Sequence, residues 1–259
     1  MSTLIHPTAI IHPQAELAEG VEVGAYTVIG AKVSIGKGSR IASHVVIDGP
    51  TSLGEFNQIY QFASVGAAPQ DKKYKDEPTE LIIGDRNVIR ECCTLNRGTA
   101  QDKGKTVIGN DNWIMAYVHI AHDCIVGNNT IFANSATLAG HVTIQDWVIL
   151  GGFTLVHQFC TIGEHAFTGM GSAISKDVPP FAMVSGAPAE PHGINLEGLK
   201  RRGFSKESIH AIKEAHKILY RQNLGVDEAL TKIQTELGAD PSIQTLIAFA
   251  KHTQRGLIR

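Results

Sequence analysis

The chain has 259 residues, of which 43% are hydrophobic, and a formal net charge of −2. This charge excludes the basic field that a nucleic-acid partner or an anionic membrane surface would require. The sequence has no apolar run of about 18 residues and no N-terminal signal pattern, so neither stable membrane insertion nor secretion is expected. The four cysteines lack a CxxC spacing, which favours a reduced, cytoplasmic protein without a zinc ribbon or a disulfide framework.

An aliphatic residue recurs at every sixth position over most of the chain. A helix has a period near 3.6 residues and a simple strand a period of 2, so neither explains this spacing. A period of six predicts an all-β parallel β-helix, in which three hexads form each 18-residue coil and one large residue per side points inward. The repeat positions are Ile5, Ile11, Leu17, Val23, Ile29, Ile35, Ile41, Ile47, Leu53, Ile59, Val65, Ile83, Ile89, Leu95, Ile108, Ile114, Ile120, Val126, Phe132, Leu138, Ile144, Leu150, Val156, Ile162, Thr168 and Ile174.

Smaller residues around the repeat positions complete the predicted coil. The residue two positions earlier is expected to face inward as well, because side chains alternate along a strand. Cys93, Cys124 and Cys160 fall in this place and are expected to fill the core. Glycine follows eleven of the repeat positions, as at Gly24. We expect these glycines to supply the backbone freedom that the corners demand.

Two polar segments interrupt the repeat, at residues 66–81 and 96–105. We expect both to extend from the coils as loops, where binding residues often lie. After Ile174 the repeat ends, and three apolar stripes with helical spacing follow, the first of them after a predicted N-cap at Ser205. The sequence therefore predicts two domains. They are a β-helix with both loops over residues 1–190 and a small α-helical C-terminal domain over residues 191–259.

Four of the twelve histidines, His119, His122, His141 and His157, lie near one predicted corner. An 18-residue coil places His141 and His157 close to the corner of His122, about 5 Å and about 10 Å away at the interstrand spacing. None occupies an inward position, so the row is expected on the outer surface. Three interpretations remain open: a polar corner without function, a zinc site, or acid–base catalysis with substrate binding.

The residues around this corner belong to three segments, 116–124 (AYVHIAHDC), 138–142 (LAGHV) and 156–159 (VHQF). The first loop adds Gln70-Asp71-x-Lys73-Tyr74, and the tail adds NLEGLKRRGF at residues 195–204. In these motifs, and over essentially its whole length, the chain resembles the UDP-N-acetylglucosamine 3-O-acyltransferase family of lipid A synthesis. The resemblance implies a left-handed winding, which the repeat alone does not give, and a homotrimer with active sites between the chains.

The resemblance also implies an activity and a set of site residues. The reaction is transfer of a 3-hydroxyacyl group from acyl carrier protein to the 3-hydroxyl of UDP-N-acetylglucosamine, without a cofactor or a metal. His122 would be the general base, Asp123 would orient it, and the Gly140 N–H would stabilise the oxyanion. The implied substrate-binding residues are Asp71 and Lys73 at the glucosamine end, His119, His141 near the reacting centre, His157 and Gln158 on the nucleotide side, and Asn195, Glu197, Arg201 and Arg202 near the uridine and phosphates.

Met170 stands where family members that prefer long acyl chains have glycine, so we expect it to act as an acyl-chain ruler. The resemblance implies a preference for about 10–12 carbons. A longer chain would have to displace Met170 or leave its last carbons in water, at about 0.8 kcal/mol for each methylene. Met170 and His122 fall on different sides of the predicted prism. If both line one pocket, different chains must contribute them.

Two other functions remain open at this point. One is a different nucleotide-sugar acyltransferase, which forms an amide or uses coenzyme A. The hexads begin at Ile5, which leaves no room for the extra N-terminal domain of the related N-acyltransferase. The other is a structural or ice-binding β-helix, which would need a flat array of one residue type, whereas the outward residues here are mixed. The sequence carries no P-loop or Rossmann fingerprint, so nucleotide binding depends on the resemblance.

Overall fold

The computed structural model describes residues 4–259, which form a three-sided parallel β-helix followed by a hairpin and helices. The first three residues of the predicted β-helix lie outside the described residues. Strands pair in parallel from coil to coil, so that Ile5 lies beside Val23 and Val23 beside Ile41. This spacing confirms the predicted coil of three hexads, and the winding is left-handed.

Over residues 4–259, twenty-six strands of two to four residues build the coils. In chain order they are β1 (Leu4–Ile5), β2 (Ile10–Ile11), β3 (Glu16–Leu17), β4 (Glu22–Val23), β5 (Val28–Ile29), β6 (Val33–Ile35), β7 (Arg40–Ile41), β8 (Val46–Ile47), β9 (Thr51–Leu53), β10 (Gln58–Ile59), β11 (Ser64–Ala67), β12 (Glu80–Ile83), β13 (Val88–Ile89), β14 (Thr94–Asn96), β15 (Lys105–Ile108), β16 (Trp113–Ile114), β17 (His119–Ile120), β18 (Ile125–Val126), β19 (Ile131–Phe132), β20 (Thr137–Leu138), β21 (Thr143–Ile144), β22 (Ile149–Leu150), β23 (Leu155–Val156), β24 (Thr161–Ile162), β25 (Phe167–Thr168) and β26 (Ala173–Ile174).

A hairpin and four helices complete the chain. They are β27 (Ala182–Gly186), β28 (Ala189–Ile194), α1 (Leu196–Arg201), α2 (Lys206–Arg221), α3 (Val226–Leu237) and α4 (Pro241–Lys251). The strands form three sheets, one for each side of the prism. The first sheet runs from β1 through β4 and β7 to β25 and the hairpin, the second from β2 through β5 to β26, and the third from β3 through β6 to β24.

The repeat positions form the core of the prism. Ile120 is fully buried, as are most of its equivalents, and each such side chain contributes about 1.5–3 kcal/mol through its removal from water. The first coil has a neighbour on one side only, so Ile5 remains 46% exposed. Cys93, Cys124 and Cys160 are buried and unpaired, as predicted. Burial raises the pKa of the Cys124 thiol to about 12.

The corners correct the prediction made for the glycines. At most corners the third residue after a repeat position has left-handed backbone, and most of these residues are not glycine, as shown by Tyr26 (φ 56°) and His141 (φ 64°). The glycines directly after repeat positions instead allow close approach between coils. A Cβ on Gly24 would lie 2.6 Å from the backbone nitrogen of Ser43. For most of these glycines the expectation of conformational freedom was therefore wrong, because parallel backbones meet there. Gly66, with a φ of +78°, is the exception and does adopt left-handed backbone.

The two predicted loops leave the coils where the repeat is interrupted. The first loop joins β11 to β12, and the second joins β14 to β15. Both return to the third sheet, where β12 and β15 pair in register from Glu80 with Lys105 to Ile83 with Ile108. The loops therefore lie side by side at the corner between the second and third sheets.

The C-terminal helices agree with the predicted stripes, with one addition. Ser205 is the N-cap of α2, and its side chain accepts a hydrogen bond from the Ser208 N–H at 3.0 Å. Helix α1 was not predicted, because it has six residues and lacks an apolar period. The β27–β28 hairpin spans residue 190, where the domain boundary was placed. Within residues 4–259, no helix combines the length and apolarity that crossing a bilayer requires.

Candidate active site

A cleft lies at the corner where His122 and His141 face each other from successive coils. Their rings meet edge to face with centroids 5.0 Å apart. The backbone N–H of His141 donates to the backbone carbonyl oxygen of His122 at 3.0 Å. The two loops close over this corner. The cleft is lined by Asp71 and Lys73 from the first loop, by Thr99, Asp102 and Lys103 from the second loop, and by His119, His122, His141, Gln158 and Phe159 from the coils.

His122 is held by its neighbour Asp123. The His122 Nδ1 lies 2.9 Å from Asp123 Oδ2, and since a carboxylate only accepts, Nδ1 carries the proton. The Asp123 carboxylate is fully buried and also accepts from the Thr99 N–H at 3.0 Å and the Thr99 hydroxyl at 2.7 Å. Burial opposes ionisation, but the hydrogen bonds from His122 and Thr99 prevail and lower the pKa of Asp123. The pair therefore presents the His122 Nε2 to the cleft beside a fixed anion.

Gly140 lies directly under the His122 ring. A Cβ at this position would lie 2.5 Å from His122 Cε1 and 2.8 Å from Nε2, so only glycine lets the ring take its place. In the described part of the chain, no oxygen accepts a hydrogen bond from the Gly140 N–H. A backbone donor is thus unpaired next to the imidazole, which is the combination that an oxyanion intermediate requires.

The first loop brings Asp71 and Lys73 to the same cleft. The Asp71 carboxylate accepts a hydrogen bond from the Lys73 N–H at 3.0 Å, so the turn between them is closed by its own side chain. This contact leaves the Lys73 ammonium available to a ligand in the cleft. Gln158, one coil beyond Gly140, lines the cleft as well.

His157 does not share the corner of His122, and this corrects the predicted row. The residues at that corner in the next coil are Gln158 and Phe159, and Phe159 stacks on His141 with ring centroids 4.5 Å apart. His157 comes one residue earlier and turns onto the second sheet. There it lines a neighbouring apolar groove with Leu155 and Ala173.

His119 lies between the two depressions and borders both. Its Nδ1 lies 2.7 Å from the Thr94 hydroxyl oxygen, which fixes the ring. Burial lowers the pKa of His119, and the proximity of His122 lowers it further. His119 is therefore a neutral imidazole at the boundary between the polar cleft and the apolar groove.

The predicted tail residues lie in a different part of the structure from the His122 cleft. Asn195, Glu197, Arg201 and Arg202 line a separate cleft on the first sheet. Asn195 is the N-cap of α1, accepts from the Gly198 N–H at 3.2 Å and donates to the His165 carbonyl oxygen at 2.9 Å. A single chain therefore does not bring these four tail residues to His122, although Gln158, predicted on the nucleotide side, does line the His122 cleft.

Arg202 is held by aromatic residues. Its guanidinium lies 5.2 Å from the Trp147 ring centroid, and Nη1 lies 3.3 Å from His165 Nδ1. Burial, with the Arg202 charge as a second cause, lowers the pKa of His165 to about 4, so this ring accepts the hydrogen bond as a neutral imidazole. Arg201 borders the same cleft, while Glu197 pairs with Lys200 at 2.9 Å on the surface.

Met170 is 80% exposed at the corner between the first and second sheets. It is followed by Gly171, whose φ of +72° completes the turn. His122 lies at the next corner of the prism, as the repeat arithmetic predicted. Met170 is thus on the surface of the chain, away from the histidine cleft.

The sequence analysis missed several residues of the cleft, and two of these hold the site residues through their side chains. Thr99 and Asp102 both come from the second loop, and they hydrogen-bond Asp123 and His141, respectively. The sequence feature that could have pointed to Thr99 and Asp102 was the position of the second loop, which interrupts the hexads just before the coil that carries His119 and His122. Loop position indicates proximity but does not identify the residues that make contact.

The same cleft contains a group that could hold a metal ion. Among the described residues, the ligand atoms of His122, Asp123 and His141 lie within 4.8 Å of one another. Two imidazoles and a carboxylate suit zinc. In the structure, however, both Nδ1 atoms are engaged by carboxylates, His122 with Asp123 and His141 with Asp102 at 2.6 Å. An ion bound at these Nδ1 atoms would have to replace these contacts.

Two family models match the chain. The model described as Udp N-acetylglucosamine O-acyltransferase, domain 2, matches residues 177–258. The bacterial transferase hexapeptide model, with six repeats, matches residues 15–49 and 105–140. The first therefore covers the hairpin and helices, and the second covers parts of the β-helix.

Relatives match over nearly the full length. The acyl-[acyl-carrier-protein]–UDP-N-acetylglucosamine O-acyltransferase of Thiobacillus denitrificans is 58% identical over 98% of this chain and 99% of its own. The protein of the same name from Janthinobacterium is 59% identical over 99% of this chain and 100% of its own.

Solved structures agree with this relationship. LpxA from Acinetobacter baumannii superimposes with a TM-score of 0.97 at 48% identity, over 99% of this chain and 100% of that one. The UDP-N-acetylglucosamine acyltransferase of Francisella novicida gives a TM-score of 0.96 at 42% identity, over 99% and 94% of the two chains. The resemblance inferred from the motifs is confirmed, and the chain belongs to the family of acyl-[acyl-carrier-protein]–UDP-N-acetylglucosamine O-acyltransferases.

Proposed function

We propose that this chain transfers a 3-hydroxyacyl group from acyl carrier protein to the 3-hydroxyl of UDP-N-acetylglucosamine, the first step of lipid A synthesis. The observation that carries the proposal is the His122–Asp123 pair over Gly140, which joins a base, its orienting anion and an unpaired N–H donor in one cleft. The names of the relatives specify the same donor and acceptor classes. Acyl carrier protein as donor and four unpaired cysteines fit action in the cytoplasm.

The reaction follows from this geometry. His122 Nε2 takes the proton of the acceptor hydroxyl while the hydroxyl oxygen attacks the thioester carbonyl carbon. A C–O bond forms, the carbonyl electrons move to the oxygen, and the Gly140 N–H stabilises the resulting oxyanion. Collapse restores the C=O bond and breaks the C–S bond, and the imidazolium returns its proton to the thiolate. Asp123 stays ionised throughout and stabilises the imidazolium.

The direct test is incubation of purified protein with UDP-N-acetylglucosamine and 3-hydroxyacyl carrier proteins of graded length, with mass-spectrometric detection of the product. Formation of a 3-O-ester supports the proposal. Formation of an amide, or a requirement for coenzyme A thioesters, would assign the chain to a different nucleotide-sugar acyltransferase. The same assay after chelation tests the zinc alternative at His122, Asp123 and His141. The metal site would be supported if chelation removed one zinc ion per chain together with the activity, and if added zinc restored the activity.

We further propose that the active unit is a homotrimer. The cleft of Arg202 lies on the first sheet and the cleft of His122 at the far edge of the second, so one chain leaves the site divided. An exposed aromatic column follows the corner between these sheets and includes Tyr26, Phe62, Tyr117 and Phe153. Such a column is suited to contact with other copies of the chain. A neighbouring copy would then supply the tail residues and Met170 to the cleft of His122.

The tail arginines give a prediction about substrate binding. Arg201→Ala and Arg202→Ala are expected to raise KM for UDP-N-acetylglucosamine more than they lower kcat, because phosphate contacts remote from the carbonyl stabilise ground and transition states alike. Titration calorimetry with the nucleotide sugar checks the weakened binding directly, and sedimentation shows that the trimer persists. Lys206→Ala on an exposed turn of α2 is the matched control. Unchanged binding in both arginine variants would reassign the tail to packing.

Met170 gives a prediction about acyl length. Met170→Gly is expected to shift the preference toward longer chains, because it removes the side chain that limits the groove. Two additional buried methylenes correspond to about 1.6 kcal/mol, which is more than tenfold in relative rate. Competition between carrier proteins of graded acyl length, with parent and variant, measures the shift. An unchanged length profile would mean that another residue ends the groove.

A further inference from the structure

The cleft contains a second imidazole–carboxylate pair, which the sequence did not reveal. The His141 Nδ1 lies 2.6 Å from Asp102 Oδ2 and 4.0 Å from Asp123 Oδ2. Asp102 comes from the second loop, 39 residues earlier in the chain, and forms no part of the β-helix. The same loop fixes the first pair through Thr99. One irregular segment therefore holds both histidines of the site.

Three close contacts restrain the His141 ring, with Phe159, His122 and Asp102. It stacks on Phe159 at 4.5 Å with an interplanar angle of 13°, and it meets the edge of His122 at 88°. Because a carboxylate only accepts hydrogen bonds, the short contact makes Nδ1 the donor. In the neutral ring the remaining nitrogen, Nε2, is then an acceptor.

We propose that Asp102 is a positioning residue, which fixes the tautomer and direction of His141 so that its Nε2 accepts a hydrogen bond from an N–H or O–H of the acceptor substrate. The inference rests on the proposed function for the identity of that substrate. It assigns different tasks to the two pairs. His122 with Asp123 removes the proton, and His141 with Asp102 holds the acceptor beside it. The second loop then contributes to the binding of the acceptor sugar as well as to the shape of the cleft.

Comparison of two variants separates this role from a simple loop tether. Asn at position 102 keeps the size and hydrogen-bonding capacity of Asp, but its amide NH2 can donate to Nδ1 and reverse the tautomer. We expect Asp102→Asn and Asp102→Ala alike to lower kcat/KM for UDP-N-acetylglucosamine about tenfold or more, mainly through KM, as for loss of one charged hydrogen bond. A loop tether predicts instead that Asp102→Asn retains the parent value while Asp102→Ala loses it, and that result would overturn the proposal.

A double-mutant cycle tests whether Asp102 acts through His141. His141 has left-handed backbone, which Asn tolerates, so His141→Asn is the suitable partner. In that background Asp102→Asn is expected to cause no further loss, whereas a full additional tenfold loss would contradict the proposal. Asp76→Asn, an exposed carboxylate in the first loop, is the matched control and should behave as the parent.

A spectroscopic measurement decides the tautomer without reference to activity. In 15N spectra of histidine-labelled protein, with His141→Asn used for assignment, the neutral His141 ring should carry its proton on Nδ1. Asp102→Asn should move the proton to Nε2. A parent protein with Nε2–H at His141 would overturn the inference even if acyl transfer proceeds as proposed. Conversely, absence of acyl transfer with the expected tautomer would refute the proposed function and leave the Asp102–His141 positioning intact.

Discussion

Replacing His122 by alanine is expected to lower kcat for acyl transfer at least ~10²-fold, the usual contribution of a general base. A sugar hydroxyl attacks a thioester slowly unless its proton leaves as the C–O bond forms. His122 Nε2 is the free nitrogen of the Asp123-bound ring and lies beside Gly140. Steady-state assays with saturating substrates measure the loss. KM should change much less than kcat, because the base acts mainly in the transition state.

The control for this prediction is another histidine outside the cleft. His210 is exposed on α2, and His210→Ala should retain the parent rate. The His122 side chain is 15% exposed and lies outside the core of the prism, so His122→Ala should keep its fold and assembly, as checked by thermal melting and sedimentation. A well-folded His122→Ala protein with a rate near the parent value would eliminate His122 as the base.

Asp123→Asn is expected to lower kcat by about 10²- to 10⁴-fold with little change in the fold. The new amide can still accept from Thr99, and Asn tolerates the left-handed backbone of residue 123 (φ 58°). What it loses is the anion. The amide NH2 can donate to His122 Nδ1 and thereby place the imidazole proton on Nε2, where it blocks the base. The developing imidazolium also loses its stabilising charge.

A matched control exists at another corner. Asp111 has the same left-handed backbone (φ 58°), but its carboxylate is exposed and pairs with Arg86 at 2.7 Å. Asp111→Asn makes the identical chemical change and removes a surface ion pair worth about 0–1 kcal/mol. It should leave kcat unchanged. Equal rates for Asp123→Asn and Asp111→Asn would show that the charge of Asp123 is dispensable, and the base would then need another source of activation.

The structure gives these predictions their order of severity. Asp123 is fully buried, and three donors converge on its carboxylate: the His122 Nδ1–H, the Thr99 hydroxyl and the Thr99 backbone N–H, which is shared between both oxygens. Asp102 is half-exposed and makes one contact with a ring that Phe159 already supports. Loss of the His122–Asp123 pair should therefore lower the rate of proton transfer, whereas loss of the His141–Asp102 pair should weaken binding of the acceptor substrate.

The sequence by itself determined the architecture because the hexad repeat is a strictly local pattern. Every third hexad returns to the same side of the prism, so residue numbers alone place Ile5 beside Val23 and His122 beside His141. The same arithmetic placed Met170 at a different corner. The motifs at those positions were sufficient to identify the family.

Only the tertiary structure decided what the irregular segments contact. The second loop has no period, so nothing in its spacing identifies Thr99 as the partner of Asp123 or Asp102 as the partner of His141. A shift of one residue also separates His157 from the cleft, because the corner turns within two residues. Most of the glycines after the repeat positions were misjudged for a related reason. Close packing between neighbouring coils requires them, and that distance exists only once the chain has wound back on itself.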